Sequence, residues 1–343
     1  FTVTSGYTVN ITAGTALRVF ATTANIAGTL NVVGKGSAGG ASCGFNGSGT
    51  GGGAGNACGT NSGGGGGGHG GAGGNSSNGY AGGVSNGSLT QPVTLGSGGG
   101  SGYFAEGGAG GGAVYLKVTG TLTLDGTINT NGGNGTINSG SASGGGAGGS
   151  VFIDTSTFAG TGSISANGGN GGDSTGDGGG GGGGRVAVYA LTNTHTGAIQ
   201  AFGGDGPNTA FTGAAGTIFK KFGSANGDLI IDNNSQAIDS RTDVKAASQN
   251  NVQLDSITLK STLVTLKTNG SAPTFSTSGT IDMIIEDIQG SPSYTLTGTV
   301  LMRIPLATGI QFTNLTKSGG SLTLENASAT TTASSFNQTI SQM

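Results

Sequence analysis

Short segments with apolar residues at every second position alternate with long glycine-rich stretches over the first 224 residues. In residues 114–118, for example, Val114, Leu116 and Val118 are separated by Tyr115 and Lys117. A period of two with β-branched residues is the signal of a β-strand. No helical stripe of useful length is present, and glycine costs a helix about 1 kcal/mol per position. The pattern therefore predicts an all-β fold.

The apolar segments fall into two repeating types, with a glycine-rich stretch of variable length between them. The first type reads GTLNVVGKGS (28–37), GTINTNGGNG (126–135), GSISANGGNG (162–171) and GAIQAFGGDG (197–206). The second reads GGAVYLKV (111–118), GGSVFIDT (148–155), GRVAVYA (184–190) and GTIFKKF (216–222). Repetition at a fixed period indicates stacked structural units.

Stacking at a strand spacing of about 4.8 Å would bury the apolar faces of these units in two ladders. The predicted ladders are Leu30, Ile128, Ile164 and Ile199, and Val114, Val151, Val186 and Ile218. We expect a right-handed parallel β-solenoid. Its last unit departs from the pattern, because Lys220 stands where the other units have an apolar residue.

Glycine makes up 79 of the 343 residues, and its runs lie between the two segment types. Ordering glycine costs more chain entropy than ordering any other residue, so runs of it are expected where backbones approach closely. Two interpretations stay open at this point. The runs form either an ordered polyglycine II array or mobile loops.

Composition changes near residues 223–228, where glycine becomes scarce and charge more frequent. We therefore expect a glycine-rich solenoid over residues 1–224, with a long insert at 36–110, and a Thr/Ser-rich β region over 225–343. The alternating segments of that second region fit a continued solenoid or a β-sandwich.

Charge and motifs exclude several functions. A net charge of −3 and a pI near 5.2 argue against a nucleic-acid-binding surface. No apolar run has the length of about 18–20 residues that a membrane span needs. Gly34-Lys35 is followed by Gly36 and fails the phosphate-loop pattern, so no cofactor is expected.

The chain offers no set of residues for catalysis or metal binding. Its two histidines, His69 and His195, have no carboxylate close in sequence, and we expect both at the surface. Asp173 and Asp177 resemble a calcium loop only weakly, and a solvated turn is the simpler interpretation. We predict neither a metal site nor an enzyme.

Cys43 and Cys58 lie in the uncharged insert. An even number of cysteines in a secreted chain favours a disulfide, with two free thiols as the alternative. The chain begins with Phe1, which is expected of a secreted protein after removal of its leader, or of a fragment.

The pattern GTIxANGGNG…GGGGGGxVxIxA, over about residues 26–224, resembles the Gly-rich β-helix repeats of large secreted and surface proteins of bacteria and archaea. GDLIIDNNS (227–235) resembles the segment that often ends such arrays. The polyglycine tracts are also similar to those of receptor-binding adhesins of some tailed phages. The resemblance implies architecture and exposure at the cell surface rather than an activity.

These features together predict an extracellular structural protein, a subunit of a self-assembling filament or matrix whose partners are copies of itself. The uncharged N-terminal segment, with Phe1, Val3, Val9 and Ile11, is the candidate assembly strand; alternatively it forms the first coil of its own chain. An adhesin or phage receptor-binding tip that contacts surface glycans or a host cell is the second hypothesis. A β-helix polysaccharide-degrading enzyme is the third.

Overall fold

The structure is a computed structural model, and all its regular elements are β-strands. It describes residues 1–42, 44–58, 62–207, 211–236, 240–244, 254–268, 274–288, 293–304, 314–326 and 329–333. Within these ranges there are 23 strands and no α-helix. No helical segment in the described ranges has the length and hydropathy that a bilayer crossing requires.

The strands of the glycine-rich part are short, except where they carry the second repeat segment. They are β1 (Thr2–Val3), β2 (Thr8–Asn10), β3 (Ala16–Ala21), β4 (Ala24–Ile26), β5 (Thr29–Asn31), β6 (Ala113–Leu124), β7 (Thr127–Asn129), β8 (Ile137–Asn138), β9 (Ser141–Ala142), β10 (Ser150–Ala159), β11 (Ser163–Ser165), β12 (Arg185–Asn193), β13 (Ile199–Gln200) and β14 (Thr217–Phe222).

The strands of the second part include the longest in the protein. They are β15 (Asp228–Asp232), β16 (Arg241–Asp243), β17 (Ser256–Thr268), β18 (Thr274–Ile288), β19 (Ser293–Thr297), β20 (Thr299–Ile304), β21 (Asn314–Ser318), β22 (Leu322–Asn326) and β23 (Ala329–Ala333).

One large, mostly parallel sheet runs through the whole described chain. Its order is β1-β4-β6-β10-β12-β14-β15-β17-β18-β20-β22-β23, and β3, β16, β19 and β21 pair beside this path. Only the β14–β15 and β22–β23 pairs in it are antiparallel. Because β14 pairs with β15, the sheet continues past the change in composition at residue 224. The all-β prediction is confirmed, and the arrangement is compatible with a solenoid.

A second, smaller parallel sheet faces the first, in the order β13-β11-β7-β5-β2. Its register aligns Ile199, Ile164, Ile128 and Leu30, as predicted, and adds Val9 at the end of the ladder. One core cluster lies between the two sheets, where Leu30, Ile128 and Ile164 have no solvent exposure, and a second cluster joins Phe152 and Phe219 to the buried residues of the second part. Full burial of such a side chain contributes about 1.5–3 kcal/mol.

The large sheet contains the other predicted ladder. Val114, Val151, Val186 and Ile218 are in register across β6, β10, β12 and β14, and Leu17 of β3 extends the row. Lys220 pairs with Val188, at the position where the sequence predicted a departure from the repeat.

The glycine runs are hydrogen-bonded to one another through their backbones. In the run 178–184 the backbone N–H groups choose their acceptors with a period of three. Gly178, Gly181 and Gly184 donate to residues 172, 169 and 166. Of the N–H groups between them, those of residues 179 and 182 donate to the run at 64–67, and those of residues 180 and 183 donate to the run at 211–214. Carbonyls of the same run accept from three further segments, so six neighbours surround it. Three residues per turn is the repeat of a polyproline II chain. These are the hydrogen bonds that an ordered glycine array requires.

A side chain has no room in this array. A Cβ added to Gly180 would lie 2.0 Å from the carbonyl oxygen of Gly204, and one on Gly182 would lie 2.1 Å from that of Gly71. Such distances are far inside van der Waals contact, and the neighbours are backbone atoms that cannot rotate away. Close backbone approach therefore explains the glycine runs, as it does at the axis of collagen.

Asparagines of the NGGNG motif tie successive repeats together. The Asn131 Oδ1 accepts the backbone N–H of Asn167 at 2.8 Å, and the Asn167 Oδ1 accepts that of Phe202 at 2.8 Å. Three residues further along the chain, the Asn134 Oδ1 accepts the backbone N–H of Asn170, and the Asn170 Oδ1 accepts that of Asp205. Buried or half-buried backbone donors need partners, and these side chains supply them where the repeat leaves its strand.

We expect Gly181→Ala to destabilise the fold by about 1–3 kcal/mol, because the new Cβ would lie 2.1 Å from the Gly146 oxygen. Gly133→Ala is the matched control, since the nearest atom to its Cβ would be 3.3 Å away. Urea unfolding of both variants measures the effect. An equal free energy of unfolding for the Gly181→Ala variant and wild type would show that the array accommodates a Cβ without loss of stability.

Candidate functional site

The first three strands leave one side of each sheet open. Among the described residues β1 pairs only with β4, β2 only with β5 and β3 only with β6. Three aromatic side chains stand at this edge, with exposed fractions of 42% for Phe1, 71% for Tyr7 and 65% for Phe20. An exposed strand edge is a template for pairing with another chain.

The predicted assembly strand pairs with strands of its own chain. Val3 is buried and pairs with Ile26, and Val9 pairs with Leu30. Ile11 packs against the same core, whereas the Phe1 side chain is exposed. This is the alternative in which residues 1–12 complete the chain's own sheets. Any contact with a second copy through this segment would therefore use its free edge.

A cluster of loops lies at the end of the glycine array that is away from the two sheets, and we call this cluster the tip. The runs that leave and return to the sheets are joined here, and Phe45, Phe104 and Ile137 are more than half exposed. The loops contact one another: the Tyr103 N–H donates to Ser141 Oγ at 2.8 Å, and the Asn138 Nδ2 to the Phe104 carbonyl at 3.1 Å. The tip thus combines exposed apolar groups with a fixed backbone.

The predicted disulfide would brace the tip. Cys43 lies outside the described residues, so the bridge stays a prediction. Cys58 Sγ lies 3.6 Å from where a Cβ of Gly44 would stand, next to the position of Cys43 in the sequence. Close to it, the Ala57 N–H donates to the Tyr80 hydroxyl at 2.9 Å.

A buried polar cluster joins the insert to the large sheet. His69, at the end of a glycine run, has no exposed surface, and its Nε2 lies 3.0 Å from Ser150 Oγ at the start of β10. Arg185, at the start of β12, is also fully buried and donates from Nε to the Asn86 carbonyl at 2.7 Å and from a terminal nitrogen to Thr217 Oγ1 at 3.0 Å. The expectation of a surface position for His69 is wrong.

The environment of His69 favours its neutral form. Burial, followed by the positive charge of Arg185, lowers the pKa of His69 from 6.5 to about 4, although a hydrogen bond with Asn86 opposes the shift. Burial lowers the pKa of Arg185 to about 10, with the Asp243 charge acting in the other direction. Arg185 therefore keeps its charge at neutral pH while His69 is uncharged.

The hydrogen bonds around His69 compete for protons. Asn86 donates its amide protons to two carbonyls, so its Oδ1, 3.1 Å from His69 Nδ1, acts as an acceptor. Ser150 lies 2.6 Å from the Thr94 carbonyl and donates to it. Both neighbours offer an acceptor to the ring, but a neutral imidazole has one N–H, so it donates to only one of them. The cluster holds the ring in place between β10 of the large sheet and the insert.

The other candidates do not assemble into a site. The His195 ring is half-buried, stacks on Phe158 at 4.2 Å and has its Nε2 3.0 Å from the Gly162 carbonyl. Asp173 is exposed, while Asp177 is mostly buried and its Oδ1 accepts the Ser174 N–H at 3.3 Å. In the described part of the chain no three His, Cys, Asp or Glu side chains group as metal ligands.

Sequence reasoning missed the His69–Arg185 cluster, although the sequence carries a signal for it. Arg185 directly follows a run of seven glycines at the position where other repeats have Ala113, Ser150 or Thr217. A charged residue at a repeat position that is otherwise small indicates a specific buried partner.

Comparison with protein-family models, with curated proteins and with solved structures gave no match for this chain.

We predict that acid destabilises the protein through His69. The folded pKa of about 4 lies below the unfolded value of 6.5, so the unfolded state takes up the proton first as pH falls. The free energy of unfolding should therefore decrease by about 3 kcal/mol between pH 6.5 and 4, and this dependence should weaken in a His69→Gln variant.

Urea unfolding at several pH values measures this dependence. The His195→Gln variant is the control. It should keep most of the pH dependence of wild type, because the His195 ring is only half-buried and its protonation is less opposed by the fold. Identical pH profiles for wild type and His69→Gln would contradict the assignment.

Proposed function

We propose that the protein is an extracellular structural protein whose copies stack through their open sheet edges into a filament or matrix. The observation that carries this proposal is the edge formed by β1, β2 and β3, beside which the described residues place no further strand. Residues 1–34 contain one charge, Arg18, and no proline. Charge and proline are the usual means of blocking an edge, so this edge is poorly protected.

The smaller sheet supplies a complementary surface at its other end. Its order places β2 at one edge and β13 at the other, and all five strands are parallel. If β13 of one copy pairs with β2 of the next, both strands run in the same direction. Such a contact joins two different surfaces and repeats without closing, which produces an open filament.

The proposed solenoid winding and the glycine array suit a stiff subunit. Each coil stacks on its neighbours, and the glycine runs fix the rest of each coil by backbone hydrogen bonds. Contacts limited to neighbouring units allow such an array to extend in one dimension. The chemistry of the described side chains adds no residue set that favours the polysaccharide-degrading alternative.

We expect the double variant Tyr7→Lys/Phe20→Lys to remain monomeric where wild type forms fibres, because charge at the edge opposes strand pairing. Leu191→Lys is the control: Leu191 is 71% exposed but lies on β12, which has a neighbour on both sides. Analytical ultracentrifugation and negative-stain microscopy give the readout. A wild-type protein that stays monomeric at high concentration would overturn the filament proposal.

The tip favours a second function, that of an adhesin. Phe45, Phe104 and Ile137 are exposed together on loops held by hydrogen bonds, and such a patch is a candidate for contact with a surface glycan or a host cell. The adhesin would use the same scaffold and present the tip outward.

The adhesin function predicts that Phe104→Ser/Ile137→Ser reduces adhesion of labelled protein to intact cells without changing its stability. Tyr7→Ser, which changes an exposed aromatic residue at the open edge and outside the tip, should adhere like wild type. Equal adhesion of all three proteins would reject the tip as a binding surface.

A further inference from the structure

A groove of about 430 Å³ crosses the large sheet from β6, which adjoins the edge strand β3, to β14. One side of it is a row of four residues that are in register on neighbouring strands: Lys117 on β6, Asp154 on β10, Tyr189 on β12 and Lys221 on β14. Because the strands are about 4.8 Å apart, the two lysines stand about 14 Å from each other along the row. The groove is thus long and narrow, with a cation at each end.

The other side of the groove carries polar and apolar groups two positions further along the same strands. Thr119 is exposed there, Ser156 is half-buried, and Leu191 is 71% exposed. Ser156 donates its hydroxyl proton to the Thr119 carbonyl at 2.7 Å, and this hydrogen bond joins β10 to β6 on this side of the groove.

The aromatic ring in the row is rigidly placed. Tyr189 is half-buried, and its ring centroid lies 5.7 Å from that of Phe152 and 5.6 Å from that of Phe219. Burial raises the pKa of Tyr189, so its hydroxyl stays protonated at neutral pH. A fixed ring beside exposed polar groups is a surface against which the apolar face of a sugar ring can lie.

The charges facing the groove are two lysines and one carboxylate. Lys117 Nζ and Asp154 Oδ2 are 3.7 Å apart, with side chains that are 50% and 45% exposed. This contact is an open ion pair, and open pairs contribute little stability. The groove therefore has a net positive charge within a protein whose net charge is −3.

Two other classes of ligand fit the groove poorly. An extended peptide binds by adding a strand to a sheet edge, but β10 and β12 have hydrogen-bonded neighbours on both sides. A nucleic acid needs many cations along its backbone, and the groove offers two.

We propose that this groove binds an acidic oligosaccharide. Its carboxylates would lie at Lys117 and Lys221, a sugar ring would lie against Tyr189, and sugar hydroxyls would donate to Asp154. The site lies on a face of the large sheet, whereas the proposed filament contacts use its edge strands.

The test is calorimetric titration of the full chain with an oligogalacturonate, with a neutral malto-oligosaccharide and with a poly-glutamate peptide. We expect binding of the oligogalacturonate that weakens with added salt. Lys117→Gln and Lys221→Gln should each lower its affinity about fivefold, and Lys35→Gln, outside the groove, should not. Thermal unfolding checks that the variants are folded.

The remaining outcomes overturn the proposal. No binding of the oligogalacturonate, or equal affinity for the neutral sugar, would remove the role of the lysines. Equal affinity for poly-glutamate would show a site for negative charge in general rather than for a saccharide. A loss of affinity in Lys35→Gln as large as in the groove variants would place the binding elsewhere.

Discussion

The structure depends on satisfying backbone hydrogen bonds in segments that have almost no side chains. Every peptide unit brings one donor and one acceptor, and burying them without partners is costly. Here the runs of glycine lie so close together that each serves as the hydrogen-bond partner of several others. A Cβ would overlap the carbonyl oxygen of a neighbouring run. The short distance that allows the backbones to pair therefore also excludes residues other than glycine.

The array and the two sheets stabilise each other by different means. The sheets contribute an apolar core of Val, Ile and Leu, while the array contributes paired peptide groups. The His69–Arg185 cluster lies where they meet, because Ser150, Arg185 and Thr217 are the first residues of their strands and share one register row. A directional polar contact at this junction fixes how the insert sits on the sheet, which glycine alone does not specify.

The sequence was informative wherever a local rule decides the structure. Period-two alternation and equal spacing predicted both ladders, including the change at Lys220, because strand register follows from the repeat itself. The burial of His69 was not predictable in this way, because its partner Ser150 is 81 residues away in the chain. Alternation also could not show that β15 continues the sheet after β14, since a solenoid and a sandwich have the same period. The winding and hand of the solenoid, the bridge between Cys43 and Cys58 and the assembly of the chain stay predictions.

The glycine array also has a thermal consequence. Exposing apolar surface raises the heat capacity on unfolding, and exposing polar surface lowers it. Unfolding the runs between residues 36 and 216 exposes mainly peptide groups, because most of their residues have no side chain. We therefore expect the glycine runs to contribute less to the heat-capacity change, per residue, than the residues of an ordinary globular domain do. Since this quantity sets the curvature of stability against temperature, we expect a straighter stability curve, on which cooling continues to stabilise the folded state at temperatures where an ordinary domain has passed its maximum.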